Sequence, residues 1–319
     1  MSYDLAKKIP NHSNHLIDLR SDTVTKPTNE MRKIMADAEV GDDVYGEDPT
    51  INRLEKMLAE RLGKEAGVLM TSGTQSNLCS VLTHCARGEE VIIGNSYHIY
   101  IDEAAGASVL GGVAIAPIET GKNSELLPEN IAKAVKPDDL HCPISKLVCM
   151  ENTVWGEAIP LDKMNDAKKE ADTHNLSTHL DGARFFNAVT KLGCTPTDLA
   201  SCADTVSICL SKGLGTPAGS VLLLPKELEG KARRWRKMLG GGMRQAGIFA
   251  AAGIYAIENN INRLLEDQER AEFLANELKK YMNGNAENSI KQKTNMVFFT
   301  PPKKDSQKLS SFLNNKGII

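Results

Sequence analysis

The chain has 319 residues, 41% hydrophobic and 25% charged, enough to bury a large core and still supply a second, smaller unit. Its 38 Lys and Arg nearly balance 41 Asp and Glu, with no basic or acidic block, so neither nucleic acid nor an anionic membrane surface is indicated as a partner. Met1 to Pro10 lacks an apolar stretch of signal-peptide length, and no later segment approaches the roughly 20 apolar residues of a membrane span, which leaves a small molecule as the expected partner.

In chain order, residues 1–20 read as an N-terminal arm. Pro49 to Leu62 sets Ile51, Leu54, Leu58 and Leu62 at i, i+3, i+4 spacing and predicts an amphipathic helix. Short apolar runs then alternate with helical stretches: Val68 to Met70, Val91 to Ile93, Val113 to Ile118, Lys146 to Met150, Ser177 to Leu180, Thr205 to Leu210 and Ser220 to Leu224. This alternation predicts an α/β domain on a mostly parallel sheet, over residues 21–245. Leu161 to Asn175 is more polar and is expected as a surface helix. After Arg244 the texture changes to a long helical pattern, Ala246 to Met282, then a strand-like Met296 to Phe299, Pro301 and Pro302, and a short helix to Asn314. Residues 246–319 are therefore expected as a smaller C-terminal domain. Lys316 to Ile319 has the pattern of a strand opening with no partner or cap, so the sequence is expected to be cut short there. The seven cysteines are odd in number, form no C-x-x-C pair and mostly sit in apolar runs, which favours a reducing, cytoplasmic setting; no metal site is expected.

The sharpest chemical signal lies between His179 and Gly219. H-L-D-G-A-R closes one apolar run and S-K-G-L-G-T-P-A-G-S closes the next, so Asp181 and Lys212 sit at two successive strand ends, separated by one strand-helix-strand unit. An amine and a carboxylate facing one crevice suit pyridoxal phosphate, whose aldehyde needs a lysine and whose pyridine nitrogen needs an acid to stay protonated. Taken singly, either residue is as readily a solvated loop side chain. Gly213 and Gly215 permit tight turns beside a flat ring, and Arg184 offers a two-pronged grip on a carboxylate.

Val68 to Asn77 feeds a strand into a helix start. The N–H groups of Gly73 and Thr74, with the Ser72 and Thr74 hydroxyls, form either a phosphate cradle or an ordinary N-cap. His98, in Y-H-I-Y-I-D-E, is placed either to stack on a cofactor ring and move a proton or merely to sit satisfied in a loop.

The chain resembles the low-specificity L-threonine aldolases among the fold-type-I pyridoxal-phosphate enzymes. The likeness rests on D-L-R-S-D-T-V-T-K-P-T (18–28), V-G-D-D-V-Y-G-E-D-P-T (40–50), S-G-T-Q-S-N (72–77), H-L-D-G-A-R (179–184), S-K-G-L-G-T-P-A-G-S (211–220) and L-G-G-G-M-R-Q (239–245). It implies a seven-stranded, mostly parallel sheet with helices on both faces, and retro-aldol cleavage of L-threonine or L-allo-threonine to glycine and acetaldehyde. By position it implies Lys212 as the Schiff-base lysine, Asp181 as partner of the ring nitrogen and His98 on the ring. Gly73, Thr74 and Ser211 fall at the phosphate, while Ser21 and Arg184 fall at the substrate carboxylate. Tyr45, Lys237 and Arg244 match positions that reach a neighbouring subunit, so a homodimer or homotetramer is implied. Relatives often carry a histidine after E-N-T, whereas Val154 and Trp155 follow here, leaving His98, a water or the cofactor phosphate to take the hydroxyl proton. Two other readings share these residues: another fold-type-I enzyme such as a β-eliminating amino-acid lyase, and an inactive cofactor-binding homologue.

Overall fold

The computed structural model describes residues 16–280, 289–301 and 305–319. Most of the expected arm, the end of the helical pattern at Met282, and Pro302 lie outside the described residues.

Each of the seven apolar runs forms a strand: β1 (Ala66–Met70), β2 (Glu89–Gly94), β3 (Ala114–Ile118), β4 (Ile144–Glu151), β5 (Ser177–Gly182), β6 (Thr205–Cys209) and β7 (Ser220–Leu224). They make one sheet in the order β1-β7-β6-β5-β4-β2-β3, parallel throughout except for β7, which runs antiparallel to both its neighbours. β1, β6 and β7 are buried along their whole length, which is why they read as continuous apolar runs instead of alternating ones. On β1 and β7, Val68, Met70, Leu222 and Leu224 join one apolar cluster, whereas Leu69, Val221 and Leu223 join the larger one, so each sheet face has its own packed layer. Edge strand β3 is only partly buried and accommodates Pro117, whose missing N–H would break a central ladder.

The helix predicted at Pro49–Leu62 (α1) has those bounds. Asp48 caps it by accepting from the Ile51 N–H, Pro49 opens it, and Gly63 ends it at φ +67°, while Ile51, Leu54, Leu58 and Leu62 are buried. A second helix, α2 (Gly73–His84), follows β1, and α3 (His98–Ile101) follows β2. The polar surface helix is α4 (Leu161–Thr173), with α5 (Phe185–Leu192) after β5 and α6 (Lys226–Met238) after β7.

The long pattern from Ala246 is two helices, α7 (Gly247–Asn259) and α8 (Leu264–Lys280). The break falls at buried Asn260, whose side-chain amide donates to the Leu214 carbonyl (2.8 Å). An asparagine tied to a distant backbone ends a helix that hydrophobic spacing alone would continue. Ala250, Ala252, Ile254, Ala256 and Ile257 of α7 belong to the main core cluster. The expected late strand is β9 (Val297–Phe299), paired antiparallel with β8 (Ile290–Gln292), whose short I-K-Q gave no apolar run to read.

The expectation of a partnerless C-terminal strand is overturned. Ile17 N–H donates to Gly317 O (2.8 Å), Ile319 N–H to Ile17 O (3.0 Å) and Leu19 N–H to Ile319 O (2.7 Å), and Ile17 and Ile318 form a parallel bridge. The partner lies at the opposite end of the sequence, where no local pattern announces it. Among the described residues, no helix is long and apolar enough to cross a membrane.

Candidate active site

Asp181 and Lys212 emerge at the C-terminal ends of adjacent parallel strands, β5 and β6, where open α/β sheets bind ligands. Asp181 is 2% exposed, with Oδ1 accepting from the Ala183 N–H (2.9 Å) and Oδ2 from Asn77 Nδ2 (2.8 Å). Gly182 follows because a Cβ there would come within 2.5 Å of the Ser207 carbonyl. The turn after β6 is fixed through the Lys212 carbonyl, which accepts from Thr25 Oγ1 (2.8 Å) and from the Gly215 N–H (2.9 Å), with Gly215 left-handed at φ +80°. The Lys212 ammonium makes no hydrogen bond or ion pair among the described residues. Glu151, which ends β4 opposite Asp181, is buried; burial and the Asp181 charge push its carboxyl up to about 8 against the pull of the Lys212 charge. The amine and the two carboxylates therefore lie at one end of the sheet, within electrostatic reach of one another.

His98, at the start of α3, is held twice. Its backbone N–H donates to Glu151 Oε2 (2.7 Å) and its Nδ1 pairs with Glu103 Oε1 (2.9 Å). The Glu103 hydrogen bond keeps the imidazole above the usual histidine range, while burial raises the Glu103 carboxyl. One nitrogen or oxygen from each of His98, Glu103 and Asp181 lies within 4.8 Å of the others. Asn77 holds this group together, its Nδ2 donating to both Glu103 Oε1 and Asp181 Oδ2 at 2.8 Å.

His179 in turn fixes the Asn77 amide. It is fully buried, and burial pushes its pKa down to about 3, so the ring is neutral. Because both Asn77 amide hydrogens go to carboxylates, Asn77 Oδ1 must accept, and His179 Nε2 (3.1 Å) carries the proton. Nδ1 then accepts from the hydroxyls of Ser80 (2.9 Å) or Thr205 (3.0 Å). The chain of bonds from β6 through His179 to Asp181 is complete, as a buried polar network must be to stabilise rather than cost.

The proposed phosphate residues also meet. α2 begins at Gly73, whose notional Cβ lies 3.9 Å from Cys209 Cβ, and Cys209 Sγ is 3.6 Å from Ser211 Oγ. Ser72 spends its hydroxyl on the Gln75 N–H (3.1 Å) as N-cap, while the Gly73 and Thr74 N–H groups have no acceptor among the described residues. Two donors without an acceptor among the described residues thus stand at the positive end of a twelve-residue helix, an arrangement that suits an anion.

Arg184 lies on the same side as Ser21, but its guanidinium is already engaged. Nε and Nη2 each donate to an oxygen of Asp22 at 2.7 Å. Ser21 caps the 3-10 turn Asp22–Val24 by accepting from the Thr23 N–H (3.2 Å). Tyr45, Lys237 and Arg244 make no contact with Asp181 or Lys212 among the described residues and lie at the surface. Tyr45 is 75% exposed, Lys237 is exposed in the last turn of α6, and Arg244 Nη1 donates to Asp42 Oδ2 (2.7 Å). A buried ion pair, Arg236 Nη2 to Asp43 Oδ2 (2.7 Å), locks that region to α6.

Asn77, Glu103, Glu151, His179, Asp22 and Asn295 were not assigned from sequence. Two left a usable signal: His179 is two residues before Asp181 and so on the same strand face, and Asn77 is four residues after Gly73 and so on the same helix face. The other four arrive from separate elements with no shared spacing.

The beta-eliminating lyase family model matches residues 18–301. The chain is 44% identical over 304 residues to the low specificity L-threonine aldolase of Escherichia coli K12, covering 95% of this chain and 90% of that one. It is 43% identical over 312 residues to a probable low-specificity L-threonine aldolase 2 of Arabidopsis thaliana, covering 95% and 88%. In fold it is similar to the threonine aldolase of Leishmania major, with a TM-score of 0.77 at 21% identity over 92% of this chain and 87% of that one. The chain therefore belongs to the beta-eliminating lyase family, on its low-specificity L-threonine aldolase branch.

Proposed function

We propose that this protein is a pyridoxal-phosphate-dependent aldolase that cleaves L-threonine and L-allo-threonine to glycine and acetaldehyde. The observation that carries the reading is the pairing of an amine with no partner among the described residues, Lys212, with a buried carboxylate, Asp181, at the ends of neighbouring strands. The residues present fit the cofactor. The free Gly73 and Thr74 N–H groups and Ser211 suit its phosphate, Lys212 its aldehyde, and Asp181 its ring nitrogen. When bound, the group supplies an electron-accepting ring that stabilises the charge left on Cα as the Cα–Cβ bond breaks.

The chain's own residues perform the rest. Arg184 and Ser21 bind the α-carboxylate and so turn the Cα–Cβ bond toward the reactive orientation. His98 donates Nδ1–H to Glu103, which leaves Nε2 with no partner among the described residues and ready to take the β-hydroxyl proton. Val154, where relatives often carry a histidine, is wholly buried and offers no proton acceptor.

The chain's division into an arm (1–20), a large cofactor-binding domain (21–245) and a small domain (246–319) belongs to this reading. So does a cytoplasmic homodimer or homotetramer in which exposed Tyr45, Lys237 and Arg244 meet a second copy. The cysteines are all free, as a reducing compartment requires. Incubating the purified protein with L-threonine and with L-allo-threonine tests the reaction. Acetaldehyde with stoichiometric glycine is the expected result; pyruvate and ammonia would mark a β-eliminating lyase, and no product an inactive homologue.

A further inference from the structure

Asp22 stands between three parts of the molecule. It sits in the 3-10 turn that Ser21 caps, its side chain is 8% exposed, and its two oxygens take Nε and Nη2 of Arg184 at 2.7 Å each. Asn295, from the turn between β8 and β9, donates Nδ2 to the same Oδ2 at 3.1 Å. Burial opposes ionisation of this carboxyl, but the hydrogen bonds and charge of Arg184 outweigh it and hold it below the usual carboxylate range, with the Lys212 charge adding to the pull. The ion pair is therefore fully formed at neutral pH, within reach of the field of Lys212.

The geometry of the pair matters more than its presence. A guanidinium has five N–H donors in a rigid fork, and Asp22 takes two of them along one edge. Nη1 makes no hydrogen bond among the described residues, so both its donors and one on Nη2 stay free. A bidentate edge contact fixes the plane and rotation of the group, while the opposite end remains able to receive a second carboxylate.

Resting on the reading of Arg184 as the substrate-carboxylate ligand, we infer that Asp22 is a positioning residue, which clamps one edge of Arg184 so that its Nη1–Nη2 end meets the α-carboxylate of the amino acid. Asn295 braces the clamp from the C-terminal hairpin. Selection for an α-amino acid over a similar amine then depends on a side chain that does not touch the substrate.

The test compares holoenzymes of the wild type, Asp22→Ala and Asp22→Asn in binding glycine and glycinamide, followed through the cofactor's absorbance, with kcat and KM for L-threonine alongside. Glycinamide has the amine but no carboxylate. In Asp22→Ala the glycine Kd rises by about tenfold or more, because one member of a buried charge pair is removed. The glycinamide Kd stays within about twofold, and KM changes more than kcat. Asp22→Asn retains one acceptor and the side-chain volume, so it gives an intermediate loss of the preference and remains informative if the alanine variant does not fold. Equal shifts for both ligands, or an unchanged preference in both variants, overturn the clamp while leaving the aldolase reading intact. A wild type that itself fails to prefer glycine overturns the role of Arg184 and the clamp with it.

Discussion

The two ends of the cleft differ in how far the chain finishes them on its own. At the proposed ring end, Thr205, His179, Asn77, Asp181, Glu103 and His98 form one continuous set of hydrogen bonds reaching from β6 to α3, which serves both buried carboxylates. At the proposed phosphate end, the Gly73 and Thr74 N–H groups are unpaired among the described residues, and Tyr45, Lys237 and Arg244 stand at the surface. A buried carboxylate without donors costs more than an exposed donor without acceptors, since water serves the second and cannot reach the first. The chain thus completes on folding the part that solvent cannot satisfy, and leaves open the part that an anion or a second copy can.

The largest break in this comparison comes from Lys212→Ala. It removes the nucleophile while disturbing no hydrogen bond of the ring-end network, so aldehyde release should fall to background with the melting temperature nearly unchanged. Residual turnover near the wild-type level would contradict covalent attachment at this lysine. Asn77→Ala attacks the network itself. It strips a donor from both Asp181 and Glu103, and we expect about 1–3 kcal/mol of lost stability together with weaker cofactor binding, measured by denaturant unfolding and by cofactor titration. A variant as stable as the wild type would mean that water enters and replaces the amide.

Glu151→Gln sharpens the comparison through pH. In the folded protein the Glu151 carboxyl holds its proton up to about 8, against an ordinary value of 4.5. The folded state therefore binds more protons between these values. Stability must fall as pH rises through that window and stop changing on this account above it. The glutamine variant lacks this contribution, so in cofactor-depleted protein the difference between variant and wild type should grow from pH 4.5 to about 8 in the variant's favour. A flat difference curve would show that Glu151 is ionised throughout.

The smallest effect belongs to Arg244→Ala. Its ion pair with Asp42 is exposed, with the Arg244 side chain 57% accessible, so a single chain should lose less than about 1 kcal/mol. If Arg244 meets a second copy near the phosphate, activity and the dissociation of the oligomer on dilution should change far more than the melting temperature. Equal, negligible changes in all three would confine Arg244 to the surface of one chain.

What could be read from the sequence follows the same division. The seven strands were legible because a sheet covered on both faces requires uninterrupted apolar runs, and the placement of Asp181 and Lys212 at neighbouring strand ends because each closes one such run. The ring-end network was not legible as a whole. Glu103 reaches His98 across the turn after α3, Asn77 comes from α2 and His179 from β5, and only the fold gives these residues a common neighbour. The pairing of Asp22 with Arg184 and Asn295 was hidden for the same reason, as was the break at Asn260, where a contact to Leu214 overrides a helical pattern.

The short ladder between residues 17–19 and 317–319 acts as a tether on the substrate end of the cleft. Ser21 and Asp22 follow that tether by only a few residues, and so their placement against Arg184 is partly leased from a segment some three hundred residues away in the sequence. A protease nick in the Ser306–Asn315 helix, which leads into Gly317–Ile319, or a change that pulls Gly317–Ile319 out of register, would slacken the leash and be felt first as a loosened hold on amino acids, long before the sheet itself gives way.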